Sequence, residues 1–139
     1  MTPEEIARKC ADLLWADDKT SAALGITIES VAPGMAELSM AVQESMTNGH
    51  GTCHGGYIFT FADSAFAFAC NTHNQRCVAQ HCEITYLAPA HMGMRLRATA
   101  CERRRVGRNG VYDVTIANEA GAIIAEFRGL SRTVPGTYF

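Results

Sequence analysis

From Gly55 to Cys70 the chain reads GGYIFTFADSAFAFAC, apolar on every side and without a turn signal after its opening glycine pair. A helix that is hydrophobic all round is a buried helix, so this segment is predicted as the centre of the molecule. A second, peripheral helix is predicted over residues 3–16. Thr2 can cap it, Pro3 suits its first turn, and Glu5 completes a Thr-x-x-Glu capping box. Ile6, Cys10, Leu13 and Leu14 fall on one face, and a polar break follows over residues 17–21.

The remaining pattern is β. Strands are predicted at 26–32 and 35–42, joined by a Pro33-Gly34 turn. In the second of these, Ala36, Leu38, Met40 and Val42 alternate with Met35, Glu37, Ser39 and Ala41, which gives one apolar face. Residues 43–54 are turn-rich. Beyond the buried helix, residues 77–88, 94–106, 110–118 and 122–134 read as four further strands. Turns at 107–110 and 118–121 contain residues that accept positive φ, and strands joined so tightly pair antiparallel.

This order specifies an α+β fold. One apolar helix set against an antiparallel sheet can bury its sides only if the sheet curls around it. That is the hot-dog architecture, here with a peripheral N-terminal helix. No internal repeat or linker interrupts the chain, so residues 1–139 are expected to form a single domain. A chain of 139 residues can hold a core without staples. Its charged fraction of 19% is thin enough that a partner subunit is expected to cover some apolar surface.

Charge and cysteine usage narrow the function. Twelve basic against fourteen acidic residues give a net charge of −2, which points away from nucleic acid and from membrane surfaces. The start MTPEEIARK lacks a secretory pattern, and no run approaches the ~20 apolar residues of a membrane span. The six cysteines are therefore expected to be reduced thiols in a cytoplasmic protein. No CxxC pair is present, so no metal site is expected.

Candidate chemistry concentrates between Asn48 and Asp63. The Gly55-Gly56 pair opens the buried helix. The first N–H groups of a helix lack intrahelical partners and its N-terminus is positive, so such an end can hold a phosphate or polarise a carbonyl oxygen. A tight loop-to-helix turn would use the same glycines. Asp63 is the only charge between His54 and His73. A carboxylate in an apolar helix must be compensated or put to use. His54 and Asp63 are separated by roughly 13 Å of helix rise, too far for joint action on one atom. If both act on one substrate, Asp63 must meet the His54-Gly55 end of another copy, as in a two-fold dimer.

The spacing Asn48-x5-His54-Gly55-Gly56-x6-Asp63 resembles the motif of PaaI-type thioesterases, hot-dog enzymes of phenylacetate degradation. The likeness continues from Asp63 through Asn71, at Gly110 to Val114, and at Phe127-Arg128-Gly129, so it covers nearly the whole chain. It implies hydrolysis of an acyl-coenzyme A, with aromatic acyl groups of phenylacetyl type. Asp63 would be general base or nucleophile, the Gly55 N–H would polarise the carbonyl, and Asn48 and His54 would position substrate or water. No cofactor is implied, coenzyme A being part of the substrate. The assembly would be a homo-oligomer, a dimer with shared sites further paired into a tetramer. In one respect the chain departs from the family. Where relatives often carry a serine or threonine that helps hold the water, it reads Val78-Ala79-Gln80-His81, with Gln80 as a candidate substitute.

Other features compete for attention. Gly56 and Gln80 are candidate substrate contacts beside the motif. Arg103, Arg104, Arg105 and Arg108 crowd one hairpin. They form either a solvated turn or a landing site for coenzyme A phosphates, with Arg104 and Arg108 as the candidates and Arg95 and Arg97 as possible extensions. Cys53 beside His54 looks like a thiol and its base, but adjacent residues rarely face each other. His50, Cys53 and His54 lack the second cluster a metal needs, and His73, His81 and His91 read as surface or edge residues. An acyl-thioester dehydratase or hydratase, or a non-catalytic acyl-coenzyme A binding module, would use the same fold.

Overall fold

In a computed structural model describing residues 1–139, the first helix, α1 (Pro3–Asp17), begins with the predicted capping box. Glu5 N donates to Thr2 Oγ1 at 3.1 Å and Thr2 N donates to Glu5 Oε2 at 2.9 Å. Its buried face is Ala7, Cys10 and Ala11. Leu13, expected to face inward, is 38% exposed. The face is rotated toward the small residues, which let the helix lie close to the sheet. The polar stretch that follows is not a break. It forms a short helix, α2 (Lys19–Ala23), because Asp18 caps it: Oδ1 accepts from Ser21 N at 2.9 Å and Oδ2 from Ser21 Oγ at 2.6 Å.

The central helix, α3, spans Gly55–Cys70. Around it curls one sheet of β1 (Thr27–Ala32), β2 (Met35–Ala41), β3 (Cys77–Tyr86), β4 (Arg95–Val106), β5 (Asn109–Ala117) and β6 (Ile123–Thr133), in the order β1-β2-β4-β5-β6-β3. Every neighbouring pair is antiparallel. The strands β3 and β4 are consecutive but not adjacent, so the Pro89–Gly93 connection crosses the molecule and leaves β3 at a sheet edge.

Register explains how the helix fits. Ala36 lies opposite Ala100, Leu38 opposite Ala98, and Met40 opposite Leu96, all essentially inaccessible. These small and medium side chains form a floor on which Phe61, Ala62, Ala65, Phe66 and Phe68 pack. On β6, a Cβ at Gly129 would stand 2.8 Å from the Phe66 ring, so only glycine admits the helix there.

The expectation that α3 is buried on every side is corrected. Gly56, Phe59, Thr60, Asp63 and Ala67 recur every three or four residues and keep partial or full exposure. This stripe runs beside β3, whose residues Val78 to His81 are exposed on both faces, Val78 at 49%. No helix is long and apolar enough to cross a membrane.

Candidate active site

The loop before α3 is built around Asn48. Its Oδ1 accepts from His50 N at 2.9 Å, Thr52 N at 3.3 Å and Thr52 Oγ1 at 3.1 Å. With the oxygen held in this turn, the amide Nδ2 makes no hydrogen bond within the chain and is left as a donor. His54 N donates to Met46 O and Cys53 N to Ala90 O, both at 2.7 Å, which fixes the entry into the helix.

His54 is the N-cap of α3. Its Nδ1 accepts from Gly56 N at 3.0 Å, so Nε2 carries the ring proton of the neutral histidine and faces outward on an exposed side chain. Tyr57 N donates to His54 O at 3.0 Å. The Gly55 N–H is thus the first-turn donor left without a partner, at the positive end of a sixteen-residue helix. Gly56 was a candidate substrate contact, but its N–H is occupied by the cap. A Cβ there would meet His54 Nδ1 at 3.2 Å.

Tyr86, on β3, is a residue that sequence reasoning missed. Its hydroxyl donates to Gly55 O at 2.8 Å, and a Cβ at Gly55 would stand 3.0 Å from its ring. Tyr86 therefore explains why position 55 is glycine. With Ile58, Leu87 and Pro89 it lines an open groove that begins at the Gly55 end of the helix.

Asp63 lies halfway along the exposed stripe of α3. Burial raises its carboxyl above the usual carboxylate range. The Cys82 thiol, 3.9 Å from Oδ1, offsets this in part, and the charge of Asp18 adds to the rise. Cys82 is a second missed neighbour. Burial and the Asp63 charge push its thiol up to about 11, so it stays a neutral donor to the carboxylate. Nothing in the sequence pairs residues nineteen positions apart on a helix and a strand.

Other candidates lie elsewhere. Gln80 sits at a bulge between Ala79 and His81, and its Nε2 donates to Asn109 Oδ1 at 3.1 Å, away from Asp63. Arg103 pairs with Asp113 at 3.4 Å and Arg105 with Glu102 at 3.8 Å, while Arg104 and Arg108 are exposed and form no ion pair. Arg97 is engaged by Glu37 at 2.6 Å and Arg95 by Ser39 at 2.8 Å, so neither extends that patch. Cys53 is buried, its Sγ faces His54 O at 3.7 Å, and burial pushes its thiol up, which describes a packed side chain and not a nucleophile. His73, expected at the surface, is half-buried and bonds Glu102 Oε1 at 3.0 Å.

Known proteins share this fold. Residues 50–133 match the family model described as thioesterase superfamily. The chain is 42% identical over 127 residues to acyl-coenzyme A thioesterase PaaI of Escherichia coli K12, covering 91% of each. The solved structure of E. coli PaaI superposes with a TM-score of 0.96 at 40% identity, covering 98% of this chain and 99% of that one. A structure of the phenylacetic acid degradation protein PaaI from Thermus thermophilus gives 0.81 at 36% identity, over 84% of this chain and 100% of that one. A model matched over more than half its length, and a relative this similar from end to end, show that the chain belongs to the thioesterase superfamily.

Proposed function

We propose that the chain hydrolyses acyl-coenzyme A thioesters to a free acid and coenzyme A, with aromatic, phenylacetyl-type groups as the preferred acyl chains. The observation that carries this reading is the unpartnered Gly55 N–H at the start of α3, beside the groove lined by Tyr86. A thioester carbonyl set there accepts that N–H as negative charge develops on its oxygen. Asp63 then acts as nucleophile on the carbonyl carbon, or as general base on the water that attacks it. Its raised pKa makes it a stronger base than an exposed carboxylate. Asn48 Nδ2 and His54 Nε2 are donors available to substrate or water. Arg104 and Arg108 suit the coenzyme A phosphates. The names of the E. coli and T. thermophilus relatives support the thioester substrate and the link to phenylacetate. No cofactor takes part.

The same reading requires a second copy. Gly55 and Asp63 of one chain are separated by roughly 12 Å of helix rise. The half-exposed stripe of α3 and the open edge of β3 supply a self-complementary face on which Asp63 can meet the Gly55 of its partner. The working unit is a homodimer with two shared sites, paired into a tetramer.

A thiol-release assay across aromatic and aliphatic acyl-coenzyme A esters tests the proposal. The expected result is turnover, with the highest kcat/KM for aryl-acetyl esters. Absence of thiol release from every ester would overturn the activity, and equal or better use of straight-chain esters would overturn the aromatic preference.

A further inference from the structure

One peptide unit at the start of α3 is held from both sides. Its carbonyl, Gly55 O, accepts from Tyr86 Oη at 2.8 Å, and its amide, Gly56 N, donates to His54 Nδ1 at 3.0 Å. An amide N–H can only donate, so Nδ1 is the bare nitrogen of the neutral ring and Nε2 carries the proton. The phenol, the peptide and the imidazole thus form one chain. Hydrogen bonds in series polarise one another, so the hydroxyl on the carbonyl strengthens the bond at the amide. Both anchors are fixed. Tyr86 is the last residue of β3, opposite Ala125 on β6, and the N–H groups of Leu87 and Ala88 donate to Ile124 O at 2.8 and 3.2 Å. On the other side, His54 N donates to Met46 O and Cys53 N to Ala90 O, both at 2.7 Å. Burial, and then the nearby Cys53, push the Tyr86 phenol up from its ordinary value, so the hydroxyl keeps its proton.

We propose that Tyr86 is a positioning residue of the thioester site: its hydroxyl, acting through the Gly55–Gly56 peptide, holds the His54 ring with Nε2–H outward and fixes the direction of the Gly55 N–H. This role rests on the reading of that N–H as donor to the thioester oxygen. The need for it arises from glycine itself. The Tyr86 ring stands so near that a Cβ at position 55 would lie 3.0 Å from it, which leaves room for glycine alone. Glycine is also the residue with the widest backbone freedom. A donor on so free a backbone must be ordered each time charge develops on the substrate oxygen. The Tyr86 hydroxyl removes that freedom by pinning the carbonyl of the same residue, while the His54 N–H bond to Met46 pins the residue before it. The developing oxyanion then meets an N–H that is already aimed. Loss of the hydroxyl should therefore be felt where charge develops and not where the uncharged ester binds.

Tyr86→Phe keeps the ring and removes only the hydroxyl, and two readouts on the full-length protein test the role. The first is nitrogen NMR of the histidine rings together with the Gly56 amide, at a pH where the rings are neutral. Wild type should show His54 in the Nε2–H form. In Tyr86→Phe the Gly56 amide proton should move upfield and the Nδ1–H form of His54 should gain population. The second readout is steady-state thiol release from the acyl-coenzyme A ester that wild type uses best. In Tyr86→Phe kcat should fall about threefold to tenfold, the worth of one neutral hydrogen bond, with KM within about twofold of wild type. A wild-type His54 in the Nδ1–H form would overturn the proposal, and this spectrum decides even where the variant folds poorly. So would an unchanged Gly56 amide and His54 tautomer in the variant, a wild-type kcat, or a loss confined to KM. Absence of thiol release from wild type would overturn the thioesterase reading and this role with it, while the spectra show separately whether the hydrogen-bonded chain exists.

Discussion

Asp63 is the residue proposed to carry the chemistry, and its surroundings bear on both its basicity and its cost to the fold. Either role requires the ionised carboxylate. Asp63→Asn should therefore lower kcat by about 10²–10⁴ while leaving substrate binding largely intact, measured as KM and as binding of a non-hydrolysable thioether analogue. Burial holds the folded-state pKa above 3.8, so the wild-type rate should fall with acid through a midpoint above that value in a kcat–pH profile. The sign for stability is the reverse of the usual salt-bridged carboxylate. A raised folded pKa gives a contribution that is complete below 3.8 and is lost as pH rises through the folded pKa, so ionised Asp63 destabilises the protein at pH 7. Asp63→Asn should melt higher than wild type at pH 7, with the gap closing toward pH 3 in paired thermal scans. The place of Asp63 as a lone, partly buried charge on α3 was legible in the sequence, because a single charge in an apolar helix is conspicuous. Tyr86 and Cys82 were not. Their contacts with Gly55 and Asp63 join a helix to a strand and depend on which sheet edge β3 occupies.

At the scale of elements, local chemistry announced itself and long-range order did not. The capping box at Thr2 and the glycine pair at Gly55 mark the starts of α1 and α3 because caps and permissive residues act within one turn. The short helix α2 was hidden because its residues are polar and only the Asp18–Ser21 cap organises them. The placement of β3 beside β6 rests on a crossover that no turn residue encodes. The helix–sheet contact gives a sharp test. Gly129→Ala would set a methyl 2.8 Å from the ring of Phe66, itself 1% exposed and held between Tyr112 and Phe127. Alanine restricts the unfolded chain, a gain of about 0.4–1 kcal/mol, but overpacking a closed core costs about 1–3 kcal/mol. The clash should win, and urea unfolding should report a net loss of stability. For the β4–β5 hairpin, replacing Arg104 and Arg108 together with alanine should raise KM for coenzyme A esters more than for esters of a short pantetheine-like thiol. Equal changes in both would mean that this hairpin does not meet the phosphates.

For the whole molecule, the central claim is that one chain alone lacks a complete site. The Gly55 donor and the Asp63 carboxylate are rows apart on a rigid helix, and both the stripe of α3 and the edge of β3 lie open in the single chain. The most direct measurement mixes two inactive proteins, Asp63→Asn and a Gly55→Val variant whose added side chain collides with Tyr86. In an isologous heterodimer one site carries both lesions and the other carries neither. With free exchange at equal concentrations, about half the dimers are mixed and about a quarter of all sites are intact. Thiol release from the mixture should thus recover to roughly a quarter of the wild-type rate, following the appearance of heterodimers in native mass spectra. If heterodimers form and the mixture stays as inactive as its components, the shared site is contradicted.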